Sequence, residues 1–286
     1  MNKQELIQTI REKKSFLCVG LDPDMELIPP AIKNDYKHPL FEFNRIIIDA
    51  TIDLAVAFKP NVAFYESQGS QGWESLEKTI AYLNSHPKGP VFTIADAKRA
   101  DIGNSSRQYA QTFLENLDFD ATTVNPYMGH DSVKPFLDIP GKWAIILALT
   151  SNPGASDFQT MDCHPDSTDM EARTDDLLPL HQAVVKKCIT WGSPENTMFV
   201  LGATRPESLA AVRKIAPEHF FLIPGVGAQG GNLQEVAAQC MNHEVGMLLN
   251  SSRGIIHASR DDDFDIRASE AASRLQQQMD KILDSA

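Results

Sequence analysis

The chain has 286 residues, 42% hydrophobic and 22% charged, with a formal net charge of −12. This is ordinary for a folded globular protein, and the length allows one large core or two small ones. The acidity excludes general nucleic-acid binding, because no basic field would draw in a polyanion, though it leaves room for one small phosphorylated ligand, and no apolar run is as long as a membrane span.

The opening, MNKQELIQTIREKKSF, reads as a polar amphipathic helix without the apolar centre of a signal peptide. Phe16–Leu21 reads as a strand that delivers Asp22 at its carboxyl end. Phe43, Ile46, Ile47, Ala50 and Leu54 then recur at helical spacing. Val56–Tyr65 reads as a second strand with Lys59 inside it, and Trp73–Leu83 as a helix. A third strand starts at Pro90 after a Lys-Gly-Pro turn signal. Asn104, Ser105 and Ser106 are candidate caps for the helix that follows, to Asn116. Ala121–Tyr127 is a fourth strand, Gly129–Leu137 a turn and short helix, and Lys142–Ser151 a fifth, strongly apolar strand. A helix near 177–191 leads to a sixth strand, Asn196–Thr204, and a helix with Pro206 in its first turn. His219–Gly227 and Val245–Ser252 are the seventh and eighth strands, separated by a helix over Asn232–Met241. A last helix, Asp265–Leu283, closes the chain.

Strands that alternate with helices argue for an α/β fold with a parallel sheet. Eight βα units in about 250 residues plus insertions is the size of a closed (β/α)8 TIM barrel, and a single barrel domain over 1–286 is expected. A doubly wound open sheet is the alternative. It would need a glycine-rich first βα turn, and Gly20-Leu21-Asp22-Pro23 is not one. The polar stretch 152–178 reads as an insertion after the fifth strand, lying over the carboxyl face of the barrel, with too few apolar residues for its own core.

The chemistry concentrates in Pro90–Ser106, PVFTIADAKRADIGNSS. Asp96 and Lys98 lie two apart on a strand and so share a face, with Asp101 on the turn beyond. Such charges at the end of a buried strand are costly unless paired or used. They are either a structural ion pair or a catalytic ammonium between carboxylates. In this fold the active site lies at the carboxyl ends of the strands, and Asp22, Lys59, Asn125, Ser151 and Arg253 also fall there. After the seventh strand comes Pro224-Gly225-Val226-Gly227-Ala228-Gln229-Gly230-Gly231-Asn232, a loop with bare backbone amides that leads into a helix. After the eighth comes Arg253-Gly254. Phosphate sites of such barrels lie at these two loops, and an arginine offers two aligned donors, so a phosphomonoester site is expected. The four cysteines, Cys18, Cys163, Cys188 and Cys240, are widely spaced, which suggests reduced thiols and a cytoplasmic protein. The histidines show no HxH or HExxH spacing, and Cys163-His164 alone makes a poor ligand set, so no metal is expected.

The motif Asp96-Ala97-Lys98-Arg99-Ala100-Asp101, with Lys59 and the Gly225–Asn232 loop, resembles the orotidine 5'-phosphate decarboxylase family. The likeness is to its longer bacterial branch, whose motif is close to DAKRADIGNSS, and it runs over nearly the whole chain. It implies loss of carbon dioxide from C6 of a pyrimidine nucleotide, without a cofactor, in pyrimidine and UMP biosynthesis. Lys98 would stabilise and then protonate the C6 carbanion. Asp96 would lie beside the substrate carboxylate, and Lys59 would bind the ribose and bridge the acids. Asp101 would enter the neighbouring subunit's site, making the enzyme a homodimer. Asp22 would bind the ribose, with Ser105 a further candidate from across the dimer, and Ser151 would meet the pyrimidine edge. Gln229, Gly230, Gly231 and Arg253 would grip the phosphate, with the Gly225–Asn232 loop as a lid. Two rivals stand beside this: a magnesium-dependent sugar-phosphate decarboxylase on the same barrel, and a non-catalytic phosphoribosyl-binding barrel.

Overall fold

The computed structural model describes residues 1–164, 177–203, 206–225 and 232–285. Ten strands are seen among them: β1 (Leu17–Leu21), β2 (Ala57–Pro60), β3 (Phe92–Arg99), β4 (Ala121–Val124), β5 (Trp143–Leu149), β6 (Asp162–Cys163), β7 (Leu178–Pro179), β8 (Thr197–Leu201), β9 (Phe220–Pro224) and β10 (Met247–Ser251). Eight of these close a parallel barrel in the order β1-β10-β9-β8-β5-β4-β3-β2, while β6 and β7 form a separate antiparallel pair. The open-sheet alternative is thereby set aside. Every barrel strand is covered by helices outside and by its opposite strands inside, so the strands are buried along nearly their whole length rather than at alternate residues. Leu17, Cys18, Val19 and Leu21, for example, are fully buried.

The helices carry one apolar stripe each. Helix Pro39–Thr51 buries Leu40, Phe43, Asn44, Ile47, Ile48 and Thr51, the spacing of a face laid on a sheet. The Nδ2 of its buried Asn44 donates to Tyr65 Oη at 2.8 Å and Thr79 Oγ1 at 3.1 Å, which ties this helix to the two that follow. Among the described residues no helix is long and apolar enough to cross a membrane.

Several boundaries differ from those read in the sequence. The second strand ends at Pro60, and Val62–Glu66 is a short helix that buries Val62 and Tyr65; periodicity in so short an apolar run as VAFY does not distinguish a helix from a strand. Asn104, Ser105 and Ser106 do not cap their helix. They lie within Gly103–Ala110, whose N-cap is Ile102, without a side-chain cap bond. Ser106 instead is buried and donates to the Ser132 carbonyl at 2.6 Å. Of the insertion, the described part holds a short 3-10 turn, Pro153–Asp157, and the β6–β7 pair; residues 165–176 lie outside the described residues.

Two glycines mark where the barrel closes tightly around its carboxyl end. A Cβ on Gly20 would meet Ser252 Oγ at 1.8 Å, and one on Gly202 would meet the Ser151 backbone nitrogen at 2.8 Å. Any side chain at either position would push a wall of the cavity described next.

Candidate active site

Strand register places the charged side chains. Gly20 of β1 pairs with Lys59 of β2, and Asn61 just beyond bridges to Asp96. Between β3 and β4 the register shifts: Ala95 pairs with Thr122, but Arg99 pairs with Val124. Four steps on β3 therefore match two on β4. This bulge lets Asp96 and Lys98 point into the barrel mouth together. Lys98 takes a left-handed backbone conformation there, φ +47°, a strain of roughly 1–3 kcal/mol of the kind that clusters at functional sites.

The carboxylate of Asp96 is the hub. Its Oδ2 accepts from Lys59 Nζ at 2.7 Å, and its Oδ1 from Lys98 Nζ at 2.5 Å. Thr123 Oγ1 donates to the same Oδ1 at 3.0 Å and accepts from the Lys98 backbone amide at 2.8 Å. Burial alone would favour neutral Asp96, but the Lys59 and Lys98 ammoniums outweigh it and hold the carboxyl well below the usual carboxylate range. For Lys59 burial favours the free amine, yet the Asp96 and Asp22 carboxylates outweigh it and raise the ammonium above its ordinary range. Both groups therefore stay charged across neutral pH. Cys18, beneath them, is pushed up to about 12 by burial and is an inert thiol at neutral pH.

These groups open onto a cavity of about 360 Å³ at the carboxyl ends of the strands. Asp22, Lys59, Asp96, Lys98, Ser151 and Arg253 all line it, so six of the residues singled out in the sequence meet at one place. Lys98 is half exposed to it, whereas Lys59 and Asp96 are nearly buried. Asp22 Oδ1 is buried and has no hydrogen-bond partner in the protein, an acceptor left open for a ligand. Leu147, Val200 and Leu222 form an apolar floor. A cavity with polar and charged walls over a small apolar floor suits a small polar ligand.

Other expected residues stand elsewhere. Asp101 is outside the cavity, and its Oδ1 accepts from the Ile102 amide at 2.7 Å. Ser105 is on the exposed face of its helix. Gln229, Gly230 and Gly231, and with them most of the expected lid, lie outside the described residues. The near end of that loop, Gly225, lines the cavity with φ +101°. At its far end Asn232 caps the next helix, accepting from the Gln234 amide at 2.9 Å. Thr123 was not singled out in the sequence. The available signal was a hydroxyl inside an otherwise buried strand, beside the charged one. Among the described residues, one cluster has metal-ligand spacing: Glu218, His243 and Glu244. It lies before β9 and β10, at the opposite end of the barrel, and Glu244 is paired with Lys3 at 2.6 Å.

A closed parallel barrel with an ammonium–carboxylate–ammonium network at its strand ends, and an arginine after the last strand, defines a (β/α)8-barrel enzyme built for a small anionic substrate. The sequence profile of the orotidine 5'-phosphate decarboxylase / HUMPS family matches residues 15–267, and the chain belongs to that family. It is 50% identical over 285 residues to the orotidine 5'-phosphate decarboxylase of Flavobacterium johnsoniae, covering 100% of this chain and 99% of the relative. Among solved structures it is similar to the OMP decarboxylase of Leishmania donovani, with a TM-score of 0.79, 32% identity and 99% of both chains covered. It is also similar to the UMP synthase of that organism, with a TM-score of 0.80 and 34% identity. There it covers 98% of this chain and 56% of the other, so the chain spans about half the length of that protein.

Proposed function

We infer that the chain decarboxylates orotidine 5'-phosphate to uridine 5'-phosphate, a carboxy-lyase reaction of pyrimidine biosynthesis. The observation that carries this is the Lys59–Asp96–Lys98 network at the mouth of the barrel, in a chain whose relatives are matched end to end.

The substrate carboxylate lies beside Asp96, and the C6–carboxyl bond breaks. Its electron pair stays on C6 and carbon dioxide leaves. The Lys98 ammonium faces the resulting carbanion, stabilises it, and then gives C6 its proton; the amine regains one from solvent. An ammonium about 4 Å from a full carbanion is worth on the order of 4 kcal/mol at an effective dielectric near 20. Enzymes lower barriers by roughly 8–23 kcal/mol, so Lys98 does not act alone. The rest comes from a network held rigid before the substrate arrives: buried Lys59, Thr123 and the strained bulge fix Asp96 and Lys98 without reorganisation at the moment of reaction. Asp22 and Lys59 meet the ribose, Ser151 the pyrimidine edge and Arg253 the phosphate, with Gln229, Gly230 and Gly231 assigned to the phosphate by family resemblance. No cofactor or metal takes part. The magnesium-dependent rival would need a cation between Asp22 and Asp96, the place where the Lys59 ammonium sits 2.7 Å from Asp96.

The enzyme works as a homodimer, with Asp101 and Ser105 reaching the neighbour's cavity. Two observations support this: Asp101 is outside its own cavity, and the loops after β3 and β4 expose Ile102 (61%), Tyr127 (92%) and Met128 (48%), more apolar surface than a monomer leaves open without reason. The insertion belongs to the carboxyl face, since Gln159 within it bonds to the Thr150 backbone amide at 2.7 Å. A cytoplasmic location fits the four free cysteines.

The test is turnover of orotidine 5'-phosphate in chelator, followed by the fall in its ultraviolet absorbance, with Lys98→Ala alongside. Turnover in the parent and none in the variant is expected. Turnover only of a sugar phosphate with added magnesium would replace this reading with its rival, and nucleotide binding without turnover in the parent would favour a non-catalytic barrel.

A further inference from the structure

We propose that Arg99 is a positioning residue for Lys98, a clamp that holds the β3 bulge in the conformation that aims the ammonium into the cavity. This rests on the functional reading above and assigns a role to the one charge of the Asp96–Asp101 motif that the mechanism leaves unused.

The β3 bulge turns Asp96 and Lys98 into the cavity and Arg99 away from it, against the surrounding helices. There its guanidinium makes an ion pair with Glu66, the last residue of helix Val62–Glu66. Nη1 donates to the Ala97 carbonyl at 3.2 Å, inside the bulge itself. The guanidinium lies 5.3 Å from the ring centre of Tyr109 and 5.6 Å from that of Phe113, within cation–π range. Its own carbonyl accepts from the Asn125 amide at 3.0 Å. Arg99 thus joins three elements: the helix after β2, which carries Lys59; the bulge of β3; and the helix after β3.

The bulge needs such an anchor. A non-glycine residue at φ +47° persists only where its surroundings over-determine it. On the amino side Lys98 is held by Asp96 and Thr123. On the carboxyl side Arg99 is the residue whose side chain reaches back across the bulge to Ala97. Lysine at this position would keep the charge but lose the planar fork that serves Glu66 and Ala97 together.

The experiment compares Arg99→Ala, Arg99→Lys and Glu66→Gln with the parent. The readouts are kcat, affinity for uridine 5'-phosphate, melting temperature, and solvent-deuterium uptake at C6 of bound uridine 5'-phosphate, which runs the protonation step in reverse. For Arg99→Ala, kcat and C6 exchange fall together by about 100-fold, the size expected for a small misplacement of a reacting group. Affinity for the product holds, because its phosphate and ribose contacts are elsewhere. Arg99→Lys recovers part of the loss. Should Arg99→Ala fail to fold, Glu66→Gln shows the same split at smaller size. Parental kcat in Arg99→Ala overturns the proposal. So does a fall of kcat and affinity in step with melting temperature, which marks a merely structural residue. A parent without turnover overturns the functional reading, and this one with it.

Discussion

Buried cations sit at both ends of this barrel, and they are treated in opposite ways. At the amino end, Arg213 lies 3.7 Å over the ring of Phe221. It donates to the carbonyls of Cys240 (2.7 Å), His219 (2.7 Å), Gly246 (2.8 Å), Ala216 (3.0 Å) and Pro217 (3.2 Å). Its donors are spent on backbone, and burial lowers it to about 10. At the carboxyl end, Lys59 and Lys98 share one carboxylate, Lys98 stays half open, and Asp22 keeps a buried oxygen without a partner. A saturated buried charge ties loops together. A buried charge network with open valences on a cavity is available for a ligand. Burial of charge alone does not separate structure from function; an unpartnered acceptor that faces a cavity, as at Asp22, does.

If that distinction holds, substitutions at the two ends part company. The largest effect is that of Lys98→Ala. Turnover falls by at least about 1,000-fold, equal to the roughly 4 kcal/mol assigned to its charge, while product affinity and melting temperature stay near parental. Steady-state kinetics with a binding titration checks this, and a small loss would remove Lys98 as the proton donor. Next comes Asp96→Asn, which takes from the Lys59 and Lys98 ammoniums the carboxylate they share. Breaking a buried pair costs about 3–5 kcal/mol, so denaturant unfolding should show a clear drop in midpoint along with loss of activity. Arg213→Ala sharpens the contrast from the other side. It strands several carbonyls, and should lower unfolding stability by roughly 3 kcal/mol while kcat of the folded protein remains parental. A matching loss of kcat would blur the division between the two ends.

The barrel was legible in the sequence because strands buried on both faces read as apolar runs with helical spacing between them. The site was legible because Asp96, Lys98 and Arg253 fall just where such strands end. What could not be read is what depends on distant pairing. The register shift between β3 and β4 sets the left-handed backbone of Lys98 and gives Thr123 its place, and no local pattern announces either. Helix Val62–Glu66 was read as strand because four apolar residues in a row fit both periods. Likewise Ser105 and Ser106 looked like caps by residue type, but the helix starts before them.

The smallest effect separates the two ends by pH. His219, just before β9, is buried, and burial, with Arg213 and Lys3 nearby, lowers it to about 4. A histidine whose pKa falls on folding is protonated first in the unfolded chain. Its contribution is therefore intact above the unfolded value near 6.5 and is lost as pH drops towards the folded one. At pH 5 that amounts to about 2 kcal/mol less stability than at pH 7. The Lys59–Asp96 pair at the carboxyl end does not share this slope. Asp96 is depressed, so its contribution is intact above the ordinary carboxylate value near 3.9 and fades only below it. Lys59 is raised, so its contribution is intact below about pH 10.4 and is lost only in strong base. His219→Gln should accordingly flatten the stability profile between pH 7 and 5, measured by denaturant midpoints, and leave turnover unchanged. A slope that survives the substitution would place the acid-sensitive group elsewhere and remove His219 from the contrast.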